Sequence, residues 1–169
     1  IKLYNMRSSF SLAIALLLCF ATLRAQIKFN GNFESIDADG KPTGWDMAYN
    51  TNKAVYKIKL DSTVKRQGKY SVSIAYDTGK VIFGAINFPI KKTLKGKSLI
   101  LAAWIKTENV KGYASLFITN NGNGNVVDVA DMKYQKLNGT HDWKEYYIQM
   151  PYNGSESVSL DAGAFLSGT

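Results

Sequence analysis

The chain has one histidine, and it is the first place to look for catalysis. His141 lies in the stretch NGTHDW (138–143). A Ser-His-acid triad needs this histidine beside an activated serine, and the G-x-S-x-G motif that often presents such a serine is absent from the sequence. We therefore predict that the chain forms no such triad.

Two other arrangements of reactive residues bear on catalysis. Ser62 and Lys65 form the S-x-x-K pattern of acylating penicillin-binding enzymes, but the partner motifs are absent and no helix is predicted to begin there. We interpret this segment as a hairpin turn. Asp128, Asp131 and Asp161 could supply carboxylates for glycoside hydrolysis, which needs two of them about 5–9.5 Å apart. Nothing in their spacing pairs them, so we predict a non-catalytic chain.

The segment NGNFESIDADGKPTGWD (30–46) has the first features of a calcium loop, in Asp37 and the residues after it. A helix-loop-helix calcium site needs glycine at the sixth position and glutamate at the twelfth. Counted from Asp37, those positions hold Pro42 and Ala48. We therefore predict a Gly/Pro turn that ends where Trp45 begins a strand.

Two alternating segments suggest a binding surface instead. In SLILAAWIK (98–106) and GYASLFITN (112–120), aliphatic side chains occupy every second position. If these face the core, the outer, concave face carries Trp104, Lys106, Tyr113 and Phe117. Aromatic rings on such a face can stack on sugar rings. The alternative is a core role, because large aromatic residues are more often buried than displayed. Trp45 and Trp143, each beside a turn, are predicted to be core or rim anchors.

A polar segment is predicted to cover that face. NNGNGNVVDVADMKY (120–134) contains Asn120 and Asp128, whose side chains could bond to glycan hydroxyl groups. Asn-Gly pairs are also strong turn formers, so a purely structural turn is the alternative.

Period-two patterns must provide the scaffold for these residues. They recur in KAVYKIKL (53–60), KYSVSIAYD (69–77), WKEYYIQM (143–150) and SVSLDAGAF (157–165). Turns are predicted between the alternating segments, at KPTG (41–44), RQGK (66–69), LKGK (94–97), NVKG (109–112), NNGNGN (120–125), LNGT (137–140) and PYNG (151–154). We predict about ten strands, no helix, and an all-β, antiparallel two-sheet β-sandwich (jelly roll). The residues predicted to lie between the sheets are Tyr70, Val72, Ile74, Leu101, Ile105, Leu116 and Ile118.

The first 25 residues look like a leader. Residues 6–25 carry Arg7, an apolar run and then Ala25, which is the layout of a secretory signal peptide. The run is about half of the ~20 residues that span a bilayer. We therefore predict one domain over 26–169, secreted to the periplasm or the exterior, with no membrane contact after cleavage. The only cysteine, Cys19, would leave with the leader.

The number and distribution of charged residues argue against nucleic-acid binding. The net charge of +8 would fall to +5, because three of the 21 basic residues precede residue 26. The remaining lysines are scattered rather than clustered. Nucleic-acid binding usually requires a basic stripe and a recognisable motif, so we predict no nucleic-acid partner.

Five segments in this order resemble a known family. They are NGNFE (30–34), KPTGW (41–45), LDSTVKRQGKYSVSI (60–74), LKGKSLILAAWIKTENVKGYASL (94–116) and HDWKEYYI (141–148). Together, over about 28–169, they resemble the carbohydrate-binding-module-like, galactose-binding-like jelly rolls. The likeness is greater to the jelly-roll domain that precedes a tail-specific serine peptidase or an erythromycin-esterase-like hydrolase in secreted Bacteroidetes proteins.

The resemblance implies an accessory role. One expectation is a module that targets a downstream catalytic domain in the same polypeptide to a polysaccharide or oligosaccharide. The other is a structural domain that packs against that partner and binds no sugar. The resemblance also implies a structural calcium with Glu34 as one ligand, and a closing strand expected after SGT (167–169), so that the sequence would be a fragment of a longer protein.

Overall fold

The computed structural model describes residues 29–49, 55–80, 83–91 and 94–169. The predicted leader lies outside these ranges. The strands are β1 (Asp46–Tyr49), β2 (Tyr56–Asp61), β3 (Ser71–Tyr76), β4 (Phe83–Ile90), β5 (Ser98–Asn121), β6 (Val126–Asp131), β7 (Leu137–Pro151) and β8 (Ser159–Ser167). In these ranges the only helix is a single 3₁₀ turn, Lys133–Gln135. No helix of the described residues is long and apolar enough to cross a membrane.

The strands form a curled antiparallel sheet and a small hairpin. In the larger sheet the order is β1-β4-β8-β5-β6, and β7 also pairs with β5. Ala114 of β5 faces Leu137 of β7 and Leu166 of β8, so β7 and β8 occupy opposite edges of β5. Strands β2 and β3 pair only with each other. The predicted all-β, antiparallel class is therefore confirmed, with eight strands in the described residues instead of about ten.

The predicted turn NVKG (109–112) is wrong, because β5 runs through it. The turn predicted at LNGT (137–140) likewise lies within β7, and Val110 faces Gly139 across the ladder. The pairing shifts register at this level, and Asn109 adopts a left-handed conformation with φ 53°. Irregular pairing accommodates both turn-forming sequences without ending either strand. We call residues 98–106 the leading half of β5 and residues 113–121 its trailing half.

The register shift has a consequence for the core. Leu101 and Ile105 stand at odd positions and Leu116 at an even one, yet all three contact one apolar cluster. An unbroken strand would place odd and even positions on opposite faces. The irregular segment between the halves therefore restores the aliphatic side chains to one inner face, as the two separately aligned patterns predicted.

Most of the predicted core residues lie inside. Leu116 and Ile118 are buried in the main cluster, against which Leu101 and Ile105 pack. Ile74 contacts a second cluster formed by Val55, Tyr56 and Leu166, through which the small hairpin covers the inner face of the sheet. Tyr70 and Val72 are only half-buried and lie at the loop end of the hairpin, where Val72 pairs with Leu60.

The segment before β1 is a turn, as predicted. Ile36 and Pro42 form an isolated antiparallel bridge. The Asp37 carboxylate accepts the backbone N–H groups of Asp39 (3.0 Å) and Lys41 (2.9 Å). Gly40 has φ 76°, a conformation that favours glycine. The carboxylate that resembled a calcium ligand thus closes the turn.

Candidate functional site

A cleft of about 470 Å³ lies where three parts of the chain meet. They are the N-terminal turn, the β2–β3 loop (62–70) and the leading half of β5. Its floor is aliphatic and includes Ile86, Leu101 and Leu116. Its aromatic lining consists of Phe29, Phe33, Trp45, Tyr70, Trp104 and Trp143, and its polar lining includes Asn32, Glu34, Arg66, Gln67 and Ser71. The cleft thus combines ring surfaces with a few convergent polar groups.

Trp104 lines this cleft from an exposed position. Its side chain is 41% exposed, and its neighbours on the same face of β5, Ala102 and Lys106, are exposed as well. Across the ladder it faces Glu145 of β7. The sequence prediction that Trp104 stands on the outer face of its strand is therefore confirmed.

The cleft adjoins an open strand edge. From Ser98 to Val110, β5 pairs with β7 along one edge, and among the described residues no strand pairs along the other. Pairing with β8 stops at Tyr113, and beyond it the N–H groups of Lys111 and Gly112 donate to the Thr169 carbonyl oxygen. Along that second edge the backbone donors and acceptors of the leading half have no strand partner in the described part of the chain.

Arg66 lies over the Trp104 ring. No pattern in the sequence had pointed to it as a site residue. Its guanidinium carbon lies 3.5 Å from the centre of the Trp104 ring, the geometry of a cation–π contact. The two residues are 38 positions apart in the sequence, so no local pattern links them. The only available signal was the cationic turn RQGK between two alternating segments, which is also an ordinary surface-loop composition.

Glu34 holds the loop that carries Arg66. Its Oε1 accepts the backbone N–H groups of Lys69 (2.7 Å) and Tyr70 (3.3 Å). Gly68 has φ +73°, and a Cβ there would collide with the same carboxylate oxygen. The carboxylate predicted as a calcium ligand is thus engaged in fixing a loop. The described residues contain no group of three or more Asp, Glu, His or Cys side chains placed to bind a metal.

The base of the loop is fixed by Asp61. Its Oδ1 accepts the Thr63 hydroxyl (2.7 Å) and the backbone N–H groups of Thr63 (2.8 Å) and Val64 (3.1 Å). The Thr63 hydroxyl, followed by these N–H groups, lowers the pKa of the Asp61 carboxyl far below its ordinary value. Ser71 closes the loop by donating its hydroxyl to the Val64 carbonyl oxygen (2.6 Å).

Trp45 is an anchor, as predicted. It is partly buried, its indole N–H donates to the Asn30 carbonyl oxygen (2.8 Å), and its ring contacts Phe33 and Phe88 at 5.0 and 5.5 Å between ring centres. Trp143 is also partly buried and lines the cleft, so it lies at the rim. These rings shape the walls around Trp104.

Phe117 does not belong to an exposed platform, and its predicted display is wrong. It is 8% exposed, because Tyr49 stacks on it at 6.0 Å between ring centres and Phe165 packs beside it at 6.3 Å. Tyr113 is half-buried against the same Phe165 ring, at 5.6 Å. Both residues are on the predicted outer face of β5, but residues of neighbouring strands cover that face in the trailing half. Neither lines the cleft.

The polar segment 120–134 does not form the predicted loop over the face. Asn120 is the penultimate residue of β5 and is 1% exposed. Asp128 belongs to β6 and pairs directly with Asn120, and its Oδ1 accepts the N–H of Val129. The Asn-Gly repeat makes the β5–β6 turn, in which the N–H of Gly122 donates to the Asn125 carbonyl oxygen (2.8 Å). Neither Asn120 nor Asp128 lines the cleft.

Lys106 is exposed on the same strand face as Trp104 but has a partner. Its Nζ lies 3.1 Å from the Asp142 carboxylate in a solvent-exposed ion pair. The backbone N–H of Trp143, and then Lys106, lower the pKa of Asp142. Lys106 does not line the cleft, so it contributes to the charge near Trp104 without facing the cavity.

The residues considered for catalysis are dispersed. Ser62 and Lys65 lie in the β2–β3 loop, which confirms the hairpin interpretation, and Lys65 Nζ donates to the Ser62 carbonyl oxygen. His141 is exposed on β7. The Asp161 carboxylate accepts side-chain amides from Asn87 (2.7 Å) and Asn121 (2.8 Å). None of these groups lines the cleft.

Comparisons with known proteins gave no match: no family model, no curated protein and no solved structure is significantly similar to this chain.

Proposed function

We propose that this chain is a non-catalytic carbohydrate-binding domain, a two-sheet jelly roll in which a glycan occupies the cleft beside Trp104. The observation that carries the proposal is the position of Trp104, 41% exposed and lining that cleft. The part of the indole surface that the Arg66 guanidinium leaves uncovered suits the apolar C–H surface of a sugar ring.

The rest of the cleft supports the same ligand class. Its volume of about 470 Å³ lies within the range of about 300–1,000 Å³ that is usual for small-molecule sites. Asn32, Arg66 and Gln67 supply amide and guanidinium groups next to the aromatic walls. Such groups can bond to sugar hydroxyls while the rings exclude water from the apolar faces.

The biological role follows from the sequence resemblance. We propose a secreted accessory domain that holds an attached hydrolase at a polysaccharide. Binding by such a domain raises the effective concentration of the substrate at the catalytic domain without any chemistry of its own.

The test replaces the exposed ring. Trp104→Ala should weaken binding to a retained polysaccharide by roughly 1–3 kcal/mol, the scale of one large apolar contact. Binding is measured by retardation in native gels that contain single soluble glycans, with thermal melts in parallel. Tyr134→Ala is the matched control, because Tyr134 is 91% exposed on the 3₁₀ turn and does not line the cleft. Equal retardation of wild type and Trp104→Ala by every glycan would contradict the proposal.

A second candidate is a protein-contacting domain with no sugar ligand. The observation that favours it is the open edge of β5 next to exposed Ile100, which is 64% accessible. Unpaired strand edges are surfaces to which segments of other chains can add as further strands. Absence of retardation of the wild type by any glycan, with concentration-dependent association in sedimentation, would favour this function instead.

A further inference from the structure

Arg66 presents an unneutralised charge at the cleft. Its side chain is exposed, and its closest polar contact is Gln67 Oε1, 3.4 Å from Nη1. Among the described residues no carboxylate forms an ion pair with it, whereas four lysines, Lys41, Lys57, Lys59 and Lys106, each have one. The Trp104 ring therefore contacts the face of the guanidinium, and apart from the contact of Nη1 with Gln67 its N–H groups have no acceptor among the described residues.

The loop around Arg66 is held at both ends. Asp61 fixes its start through three hydrogen bonds, and Glu34 fixes residues 69 and 70 through two. A side chain presented from such a loop loses less conformational freedom when it binds a ligand. Arg66 is thus positioned before a ligand arrives.

The charges that face the cleft are few. Arg66 and Glu34 are the charged residues of its lining, and Glu34 Oε1 is already taken by two backbone N–H groups. Lys65 and Lys69 lie in the same loop, which has no acidic residue between 62 and 70. The loop that carries Arg66 is therefore positively charged.

We propose that the ligand is an acidic polysaccharide whose sugar rings carry carboxylates, that is, a uronate. This inference rests on the proposed carbohydrate function and specifies its substrate class. The sugar ring lies against the exposed part of the Trp104 indole, and its carboxylate accepts two N–H groups from the planar Arg66 fork. A bidentate arginine–carboxylate contact is both stronger and more directional than a hydrogen bond to a neutral hydroxyl.

The experiment compares polygalacturonate with galactan, because their repeating sugars differ by the carboxylate. In native gels the wild type should bind polygalacturonate roughly tenfold more tightly than galactan, the ratio that one charge-assisted contact gives. Arg66→Gln should abolish this preference, because it weakens polygalacturonate binding by about tenfold more than it weakens galactan binding. Arg66→Lys should recover only part of it, because an ammonium group lacks the planar fork.

Two controls separate recognition from general attraction to polyanions. Lys69→Gln removes a charge from the same loop but lines no part of the cleft, so it should keep the tenfold preference. Poly-L-glutamate carries carboxylates without sugar rings and should not retard the wild type. Equal retardation by poly-L-glutamate and polygalacturonate would overturn the inference, as would equal losses from Lys69→Gln and Arg66→Gln.

The outcomes distinguish this inference from the function on which it rests. If the wild type binds galactan and polygalacturonate equally and Trp104→Ala weakens both, the carbohydrate function stands and the uronate preference is wrong. If no polysaccharide retards the wild type, the carbohydrate function itself fails and the inference fails with it.

Discussion

The two halves of β5 carry the same kind of sequence and end in opposite environments. Each half alternates aliphatic residues with an outer set that contains a large aromatic residue. In the leading half that residue, Trp104, is 41% exposed, whereas Phe117 in the trailing half is 8% exposed. On the inner face, Leu101 is only half-buried, whereas Leu116 is 3% exposed.

The difference lies in the neighbours. The trailing half has β8 along one edge and β6 along the other, and Tyr49 and Phe165 cover its outer aromatic ring. Among the described residues the leading half pairs with β7 alone, and its outer ring stays 41% exposed with the Arg66 guanidinium over it. Whether an aromatic side chain is displayed is thus decided by the number of strands around it. The same comparison explains why the cleft opens at the leading half.

The largest expected loss of stability comes from adding a side-chain carbon at Gly163, which packs closely against the trailing half. Gly163 of β8 faces Phe117, and a Cβ there would collide with the Ile86 carbonyl oxygen and approach a Phe117 ring atom to 2.7 Å. Gly163→Ala should therefore lower the free energy of unfolding by at least ~3 kcal/mol, measured by urea denaturation.

The matched control is Gly124→Ala in the β5–β6 turn. A Cβ at Gly124 meets nothing within 4 Å, and only its φ of +80° opposes alanine. This change should cost about 1 kcal/mol. Equal losses for the two variants would contradict the close packing of the trailing half.

The next largest difference in stability is expected between variants that remove the outer aromatic ring of each half of β5. Phe117→Ala leaves a cavity between Tyr49 and Phe165 and should lower the free energy of unfolding by about 3–5 kcal/mol. Trp104→Ala should lower it by about 1 kcal/mol or less, because surface changes act weakly. Paired denaturation curves measure both. A Trp104→Ala loss as large as that of Phe117→Ala would show that Trp104 supports the core.

The smallest expected effect is the loss, in acid, of the stability that Asp61 contributes at the base of the loop beside the leading half. Hydrogen bonds lower the pKa of Asp61, whose ordinary value is 3.8. A group with a depressed folded pKa stabilises the protein above its unfolded pKa, and that contribution is lost as the pH falls through the folded value. The contribution of Asp61 should thus be complete near neutral pH and decline below about pH 4.

Asp61→Asn removes that titration. It should be less stable than wild type at pH 6, and the gap should narrow as the pH falls from 4 towards 2. Thermal melts across this range measure the gap, and the binding preference for polygalacturonate at pH 6 reports whether Arg66 is still positioned. A gap that does not change with pH would rule out the proposed role of the Asp61 carboxylate.

Much of the fold followed from local patterns. Side-chain alternation predicted an all-β fold, and β2 and β3 lie close to their predicted positions. Lys57 and Lys59 are exposed on the solvent-facing side of β2. The turn at 37–44 was also predicted, because its glycines, its proline and Asp37 act within a few residues of one another. The turns NVKG and LNGT failed, because pairing between β5 and β7 overrides the local preference of both segments.

The sequence alone therefore determined that the alternating segments form strands, which side of those strands is apolar, and that Trp104 stands on the outer side of its strand. These are local properties, set by side-chain alternation every two residues and by backbone preferences at glycine and proline. Only the tertiary structure decided that Phe117 is covered and that Asn120 is buried. It also decided that Glu34 fixes a loop and that Arg66 lies over Trp104. Each of these outcomes depends on contacts between segments far apart in the chain, which no local pattern encodes.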